Sequence, residues 1–274
     1  MRIVSAFLAS ILLTTSAAFA QAPAAPAAPA PSARPSAQGQ DPTVAAPKVN
    51  KDGTPVKGFM EKHESFVEQA KKGGIDVLFL GDSITAGWAG NGKEIWAQRY
   101  APMNAANFGI GGDRTQHVLW RIENGELDGA IKPKVIVLMI GTNNTGSDDA
   151  NKIAEGVTKI VKTAQAKTGA KVLLLGVFPR GITEKQAAES KDPKKIEAAK
   201  RTPMQREKIT RINEIISKLD DGKTVRYLDI KDKFLSPEGT LSPDIMPDYL
   251  HLTPPGYKIW ADAIDPLLKE MMGS

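Results

Sequence analysis

Two runs of apolar residues, KVIVLMI (134–140) and KVLLLGVF (171–178), restrict the fold of this chain more than any other feature. Each run is apolar almost throughout and does not alternate with polar residues. A strand of this composition is covered on both faces, which is typical of the central strands of a parallel sheet. The two runs therefore predict the middle of such a sheet.

Three further short apolar runs, VLFL (77–80), AANF (105–108) and VRYLDI (225–230), predict additional strands. The stretches between the runs have apolar residues at helical spacing, over 115–121, 148–165 and 206–219, and a last helix is expected over 256–272. Strands that alternate with helices in this way predict a three-layer α/β/α sandwich with a five-stranded parallel sheet.

The first twenty residues have the layout of a secretory signal peptide, with Arg2, an apolar stretch and a small-residue end at Ala20. We therefore expect an exported protein, periplasmic or secreted, with no integral membrane segment after cleavage, because no later stretch is long and apolar enough. Residues 21–52, rich in Ala and Pro, predict a flexible linker, and residues 53–274 one domain. The chain has no cysteine, so one hydrophobic core must supply its stability.

The net charge of +5 arises mostly from one segment, residues 183–211, which carries nine Lys or Arg against five Asp or Glu. This segment contains no aromatic residue, whereas nucleic-acid binding favours basic residues interleaved with stacking aromatics. We therefore expect no nucleic-acid partner. The charged residues 182–203 either form a solvated surface or shape a pocket, and the sequence leaves both open.

Ser83 follows the first predicted strand in the stretch FLGDSITAGW and is a candidate nucleophile. A hydrolytic serine needs a base, a group that orients the base, and donors for the oxyanion. Of the three histidines, His63 is expected at the surface and His117 on a helix without a ligand. His251 stands three residues after Asp248, a spacing that places both on one face in a turn of helix.

Candidate oxyanion donors also follow strands. Gly111 and Gly112 leave backbone N–H groups free after the second run, and Asn143 offers a side-chain amide after the third. Other motifs are absent: GDSIT is not the Gly-x-Ser-x-Gly elbow, and Arg114 stands where a dinucleotide fingerprint needs glycine. The sequence shows no cluster of metal ligands, so we expect neither a metal nor a cofactor.

The blocks GDS, GGD, GTNN and DxxH, in this order, resemble the SGNH/GDSL hydrolase superfamily over residues 75–270. NFGIGGD, KPKVIVLMIGTNN and LHLT are most similar to the catalytic subunits of platelet-activating-factor acetylhydrolase and their bacterial relatives. The resemblance implies a flavodoxin-like sheet. It also implies catalysis by Ser83, His251 and Asp248, with an oxyanion hole formed by the Ser83 N–H, the Gly112 N–H and the Asn143 amide.

For an exported member of this superfamily we expect a serine esterase that removes acetyl groups, with O-acetylated carbohydrate as the substrate. A lysophospholipase or thioesterase, and a non-catalytic carbohydrate-binding protein on the same fold, are the alternatives. Transfer of the acyl group to a sugar instead of water also remains open, and a dimer is possible because the animal relatives form dimers.

Trp88, Asp82 and Arg180 are the candidate substrate-binding residues. Trp96 and Trp120 are expected in the core, and Arg114 in a structural ion pair. Gly87 is expected to keep the loop after Ser83 open.

Overall fold

The computed structural model describes residues 40–273, and the predicted signal peptide and most of the predicted linker lie outside them. Five strands form one parallel sheet in the order β2-β1-β3-β4-β5, as in flavodoxin-like folds. They are β1 (Val77–Gly81), β2 (Ala105–Gly109), β3 (Val135–Met139), β4 (Lys171–Leu175) and β5 (Val225–Leu228). All five predicted strands are confirmed.

Nine α-helices connect and cover the strands within the described residues. They are α1 (Lys57–Lys72), α2 (Ser83–Ala86), α3 (Lys93–Arg99), α4 (Thr115–Arg121), α5 (Ala150–Thr168), α6 (Glu184–Ser190), α7 (Pro193–Ala199), α8 (Thr202–Ile216) and α9 (Pro254–Met272). Shorter helical turns span Gly87–Ala89, Ala101–Met103, Ile122–Glu126, Thr142–Asn144, Ser217–Leu219 and Lys231–Lys233.

The sheet separates two apolar cores, because successive side chains of a strand point to opposite faces. Leu78 and Leu80 of β1 pack with residues of α1, α4, α5 and α8. Val77 and Phe79 pack on the other face with residues of α9, and the partly buried Ile95 and Trp96 of α3 join them. The predicted three-layer sandwich is therefore confirmed.

The end of the predicted linker is not flexible, and that part of the prediction was wrong. Residues 40–52, here called the N-terminal segment, lie against the domain: Thr115 Oγ1 donates to the Pro42 carbonyl at 2.8 Å, and the Ala46 N–H donates to the Gln116 carbonyl at 3.2 Å. Gln40, Thr43 and Val49 are buried. Hydrogen bonds to α4 hold the N-terminal segment against the domain. The prediction of a flexible linker rested on composition alone, and composition does not reveal such bonds.

None of the helices that the structure describes is both long enough and apolar enough to cross a bilayer.

Candidate active site

Ser83 stands at the carboxyl end of β1, where the chain turns sharply into α2. A Cβ at Gly81 would collide with the Thr85 side chain and the Met139 carbonyl, so only glycine fits this turn. The Asp82 carboxylate accepts the Ile84 N–H at 2.9 Å and caps the short helix. Ser83 is consequently the first residue of α2, half-buried, with its N–H directed away from any intrahelical acceptor.

The structure brings Ser83 together with the predicted histidine and aspartate. Ser83 Oγ lies 2.9 Å from His251 Nε2, and His251 Nδ1 lies 2.6 Å from Asp248 Oδ2. Both distances suit hydrogen bonds in which Ser83 donates to the imidazole and the imidazole donates to the carboxylate. The side chains of His251 and Asp248 remain 44% and 53% exposed, so a substrate can reach them.

The backbone that presents Asp248 and His251 is a turn, and the predicted turn of helix was wrong. Asp248 Oδ1 accepts the N–H groups of Leu250 at 3.1 Å and His251 at 2.7 Å, while Tyr249 adopts the left-handed region with φ of 59°. This arrangement aims the carboxylate at the imidazole from the same short loop.

Hydrogen bonds keep Asp248 ionised. Partial burial opposes ionisation, but the hydrogen bonds and the charge of His251 outweigh it and hold the pKa of Asp248 below its usual value. The ionised carboxylate fixes the proton on His251 Nδ1, which leaves the Nε2 lone pair facing Ser83.

The predicted oxyanion donors flank Ser83. A Cβ at Gly111 would lie 4.0 Å from the Ser83 Cβ, and Gly112 has φ of +72°, a conformation that favours glycine. Asn143 Nδ2 donates to the Asp113 carbonyl at 2.9 Å, which ties the two loops together. An amide nitrogen carries two hydrogens, so the second one stays available to a ligand.

A buried ionic network lies directly behind the Gly111–Gly112 loop. Asp113 binds Arg121 Nε at 2.9 Å, and Arg121 also binds Glu126. Lys48 of the N-terminal segment reaches Asp113 Oδ1 at 2.8 Å and donates to the Gly111 carbonyl at 2.7 Å. The first contact is an ion pair without good hydrogen-bond alignment. The network therefore supports the Gly111–Gly112 loop from its buried side.

Two sequence predictions fail around this network. His63 is buried, not at the surface, with Nδ1 2.9 Å from Glu126 Oε1. Arg114 forms no ion pair within residues 40–273 and donates to Ser147 Oγ at 3.2 Å; Arg121 forms the structural ion pairs instead. The Arg121 contacts were missed although Asp113 and Glu126 lie close to it in the sequence. The role of Lys48 was missed because its partner Gly111 lies 63 residues away. His117 binds Gln40 Oε1 at 3.1 Å.

Two of the three candidate substrate-binding residues do not face the site. Trp88 is 0% exposed and packs against Tyr100, Tyr257 and Trp260, so it belongs to the core. Asp82 is also fully buried, and burial raises its pKa to about 7. Both predictions of substrate contact were wrong. A Cβ at Gly87 would collide with the Tyr257 hydroxyl, so Gly87 permits a close contact and does not open a loop.

Arg180, the third candidate, lies at the edge of the site. Its guanidinium donates to the Thr142 carbonyl at 3.1 Å and the Thr142 hydroxyl at 3.2 Å, next to Asn143. Burial lowers the pKa of Arg180, but the charges of Asp82 and Asp248 oppose this effect. Trp96 and Trp120 are partly buried against the two cores, in agreement with the prediction.

Two cavities open beside the loop that carries His251. The first, of about 440 Å³, lies between Asp248 and α7 and includes Arg180. The second, of about 680 Å³, lies between residues 89–95 and the start of α9. The charged segment 182–203 and residues 89–95 after Ser83 thus form cavity walls. Across residues 40–273, no three His, Cys, Asp or Glu side chains are grouped as a metal site.

Comparisons with known proteins agree with this geometry. Residues 79–259 match the GDSL-like lipase/acylhydrolase family. The chain is 35% identical over 237 residues to platelet-activating factor acetylhydrolase IB subunit alpha2 of Rattus norvegicus, covering 86% of this chain and 94% of the relative.

Solved structures share the fold. A GDSL-like lipase of Bacteroides thetaiotaomicron superposes with a TM-score of 0.59 at 19% identity, covering 78% of this chain and 97% of that one. An acetylxylan esterase of Geobacillus stearothermophilus superposes with a TM-score of 0.50 at 17% identity, covering 74% and 95%. The family match and the identity to the rat relative establish that the chain belongs to the GDSL-like lipase/acylhydrolase family and is a carboxylic ester hydrolase.

Proposed function

We propose that this protein is a serine acetylesterase that removes O-acetyl groups from carbohydrate through an acyl-enzyme on Ser83. The observation that carries the proposal is the continuous contact from Ser83 Oγ to His251 Nε2, at 2.9 Å, and from His251 Nδ1 to Asp248, at 2.6 Å. A nucleophile, a base and an orienting carboxylate in hydrogen-bond contact are the parts that acyl transfer needs.

In the first half of the reaction, Ser83 Oγ attacks the ester carbonyl while His251 Nε2 takes the hydroxyl proton. The carbonyl π bond opens and places the negative charge on its oxygen, which the N–H groups of Ser83 and Gly112 and the Asn143 amide stabilise. Each such donor contributes about 3 kcal/mol in the transition state. Collapse then expels the alcohol, which receives its proton from His251.

In the second half, water attacks the acetyl-Ser83 carbonyl and gives its proton to His251. The second tetrahedral intermediate expels Ser83 Oγ, which recovers the proton, and acetate leaves. Asp248 stays ionised throughout, because its hydrogen bonds hold its pKa low, and it stabilises the imidazolium that forms twice in each cycle.

A short acyl group is supported by what surrounds Ser83. Gly111, Gly112 and Asn143 are small or polar, and the apolar residues that follow the serine, Ile84 and Trp88, are buried in the core. These apolar side chains are therefore not free to line a groove for a long acyl chain. The name of the rat relative, an acetylhydrolase, also favours acetyl.

A carbohydrate substrate is supported by the predicted export of the chain, which would place the enzyme with cell-envelope and extracellular polysaccharides. The name of the rat relative favours a second candidate, an acetylated phospholipid such as platelet-activating factor. Hydrolysis of acetylated oligosaccharide and of that phospholipid, measured side by side, separates the two candidates.

The proposal is tested with p-nitrophenyl acetate, butyrate and octanoate. We expect the rate to fall with chain length and to drop at least about 10³-fold in Ser83→Ala. Ser217→Ala, at the opposite end of α8 from the site, is the matched control and should keep full activity. Faster cleavage of octanoate would refute the acetyl preference, and full activity of Ser83→Ala would refute the mechanism.

A further inference from the structure

The start of α8 and the preceding helix α7 line the cavity beside Asp248. We call residues 182–203, which contain α6 and α7, the insertion. Thr183 and Gln186 form a capping box that starts α6, and Asp192 caps α7. Ile182, Ala187 and Ala199 form a small core of their own, against which Tyr249 of the catalytic turn packs. The insertion is therefore attached to the loop that carries Asp248 and His251.

Further contacts fix the base of the insertion. Arg206 donates to the carbonyls of Arg180 and Gly181, each at 2.9 Å. Gln186 Nε2 donates to the Leu241 carbonyl at 2.7 Å. These bonds attach the start of the insertion to α8 and to the loop at Leu241, so the cavity is a formed feature of the fold.

The charges that line this cavity are almost all positive. Arg180, Lys194, Lys195 and Arg201 contribute four cations, and we call the space they line the basic cavity. Its one acidic side chain, Asp248, is already bound to His251. Within residues 40–273, neither Lys194 nor Lys195 forms an ion pair, whereas Glu197 on the same helix pairs with Lys200 at 2.8 Å. Both lysines therefore line the cavity without an anionic partner, and Lys195 Nζ lies 5.9 Å from the centroid of the Tyr249 ring.

The basic cavity adjoins the reaction site. Arg180 joins the two, because its guanidinium contacts Thr142 next to Asn143 while its residue lines the cavity. When the ester group of a substrate lies at Ser83 and its alcohol portion extends past Asp248, the alcohol portion enters the basic cavity. The volume of about 440 Å³ falls in the range of roughly 300–1,000 Å³ that is common for ligand sites.

We infer that the basic cavity binds an anionic group on the alcohol portion of the ester, so that the substrate is an acetylated acidic saccharide, one that carries a carboxylate. This inference rests on the proposed function and narrows its substrate class. The side chains of Ala198, Met204 and Leu250 line the same cavity and offer apolar contact to the sugar ring.

The test compares three substrates acetylated at the same hydroxyl: methyl glucoside, methyl glucuronoside, and the glucoside phosphorylated at the carbon that bears the carboxylate in the glucuronoside. We expect kcat/KM for the glucuronoside to exceed that for the glucoside by about tenfold at low salt, since a charge-assisted hydrogen bond is roughly twice as strong as a neutral one. The advantage should shrink as salt is added.

Lys194→Gln/Lys195→Gln should reduce the ratio of the two kcat/KM values to about one, within roughly twofold, by removing the charged donors. Lys185→Gln/Lys200→Gln is the matched control: it removes two charges from the same insertion outside the basic cavity and should retain the ratio. If the first variant fails to fold, inhibition of the unaltered enzyme by non-acetylated methyl glucuronoside, but not by methyl glucoside, supports the inference.

An equal rate on the glucoside and the glucuronoside overturns the inference, and so does a preference that survives in Lys194→Gln/Lys195→Gln. A preference for the phosphorylated glucoside alone overturns the assignment to a carboxylate. In these cases the Ser83-dependent hydrolysis of p-nitrophenyl acetate persists. If the unaltered enzyme does not hydrolyse p-nitrophenyl acetate, the proposed function itself is refuted.

Discussion

Replacing Lys48 by methionine should weaken both the folded state and catalysis, although Lys48 lies in the N-terminal segment. Its Nζ is 2.8 Å from a fully buried Asp113 carboxylate and 2.7 Å from the Gly111 carbonyl, and the Lys48 side chain is only 18% exposed. Methionine retains an unbranched side chain that corresponds to lysine as far as Cε but lacks the ammonium group and its charge. Arg121 still binds the other carboxylate oxygen, so the pair is not wholly lost.

The expected loss of unfolding free energy is about 2 kcal/mol, the range of a hydrogen bond to a charged group. Burial already raises the pKa of Asp113, against the opposing charges of Arg121 and Lys48. Removing Lys48 raises it further, so the loss should grow as the pH rises, because protonation of Asp113 at lower pH relieves the unpaired charge. The value for kcat should fall about tenfold or more, because small displacements of a catalytic loop are costly.

Urea unfolding and p-nitrophenyl acetate hydrolysis measure the two effects. The matched control is Lys51→Met, an exposed position in the same segment whose lysine forms no ion pair within residues 40–273. If Lys48→Met behaves like Lys51→Met in both assays, the N-terminal segment does not support the oxyanion loop and the reasoning is refuted.

Asp248→Asn should lower kcat about 10²–10⁴-fold with little change in stability, because His251 loses the carboxylate that fixes its tautomer; p-nitrophenyl acetate kinetics and thermal melting measure both effects. Asp82→Asn should raise stability at pH ~8 while keeping the cap on Ile84. Burial raises the folded-state pKa of Asp82 from 3.8 to about 7, so the folded state retains the proton that the unfolded state releases. Stability of the unaltered protein therefore falls as pH rises from ~4 to ~7. Urea midpoints across that window should fall less steeply in the variant, and parallel curves would contradict the assignment.

The strands and the grouping of the candidate site residues could be predicted because their signals are local. KVIVLMI and KVLLLGVF are short and apolar almost throughout, which is typical of buried strands, and β3 and β4 occupy the predicted positions. Ser83, Gly112 and Asn143 each follow a strand, and the carboxyl ends of parallel strands meet at one edge of the sheet. Sequence order and topology alone therefore bring these groups together.

What could not be predicted depends on contacts between distant residues. The N-terminal segment has the composition of a linker, and its order comes from hydrogen bonds to α4. Trp88 follows the serine closely, but the next turn rotates it into an aromatic cluster with Trp260. His63 is buried against Glu126 and Trp120, which lie far along the chain. None of these contacts has a local sequence signal.

The central claim, an acyl-enzyme on Ser83, is tested most directly by rapid acid quench of the enzyme with p-nitrophenyl acetate, followed by intact-mass and peptide-mass analysis. We predict that one acetyl group is bound per chain, that it maps to the peptide containing Ser83, and that it is absent from Ser83→Ala. Turnover without this adduct, or an adduct that maps to another residue, would contradict the account.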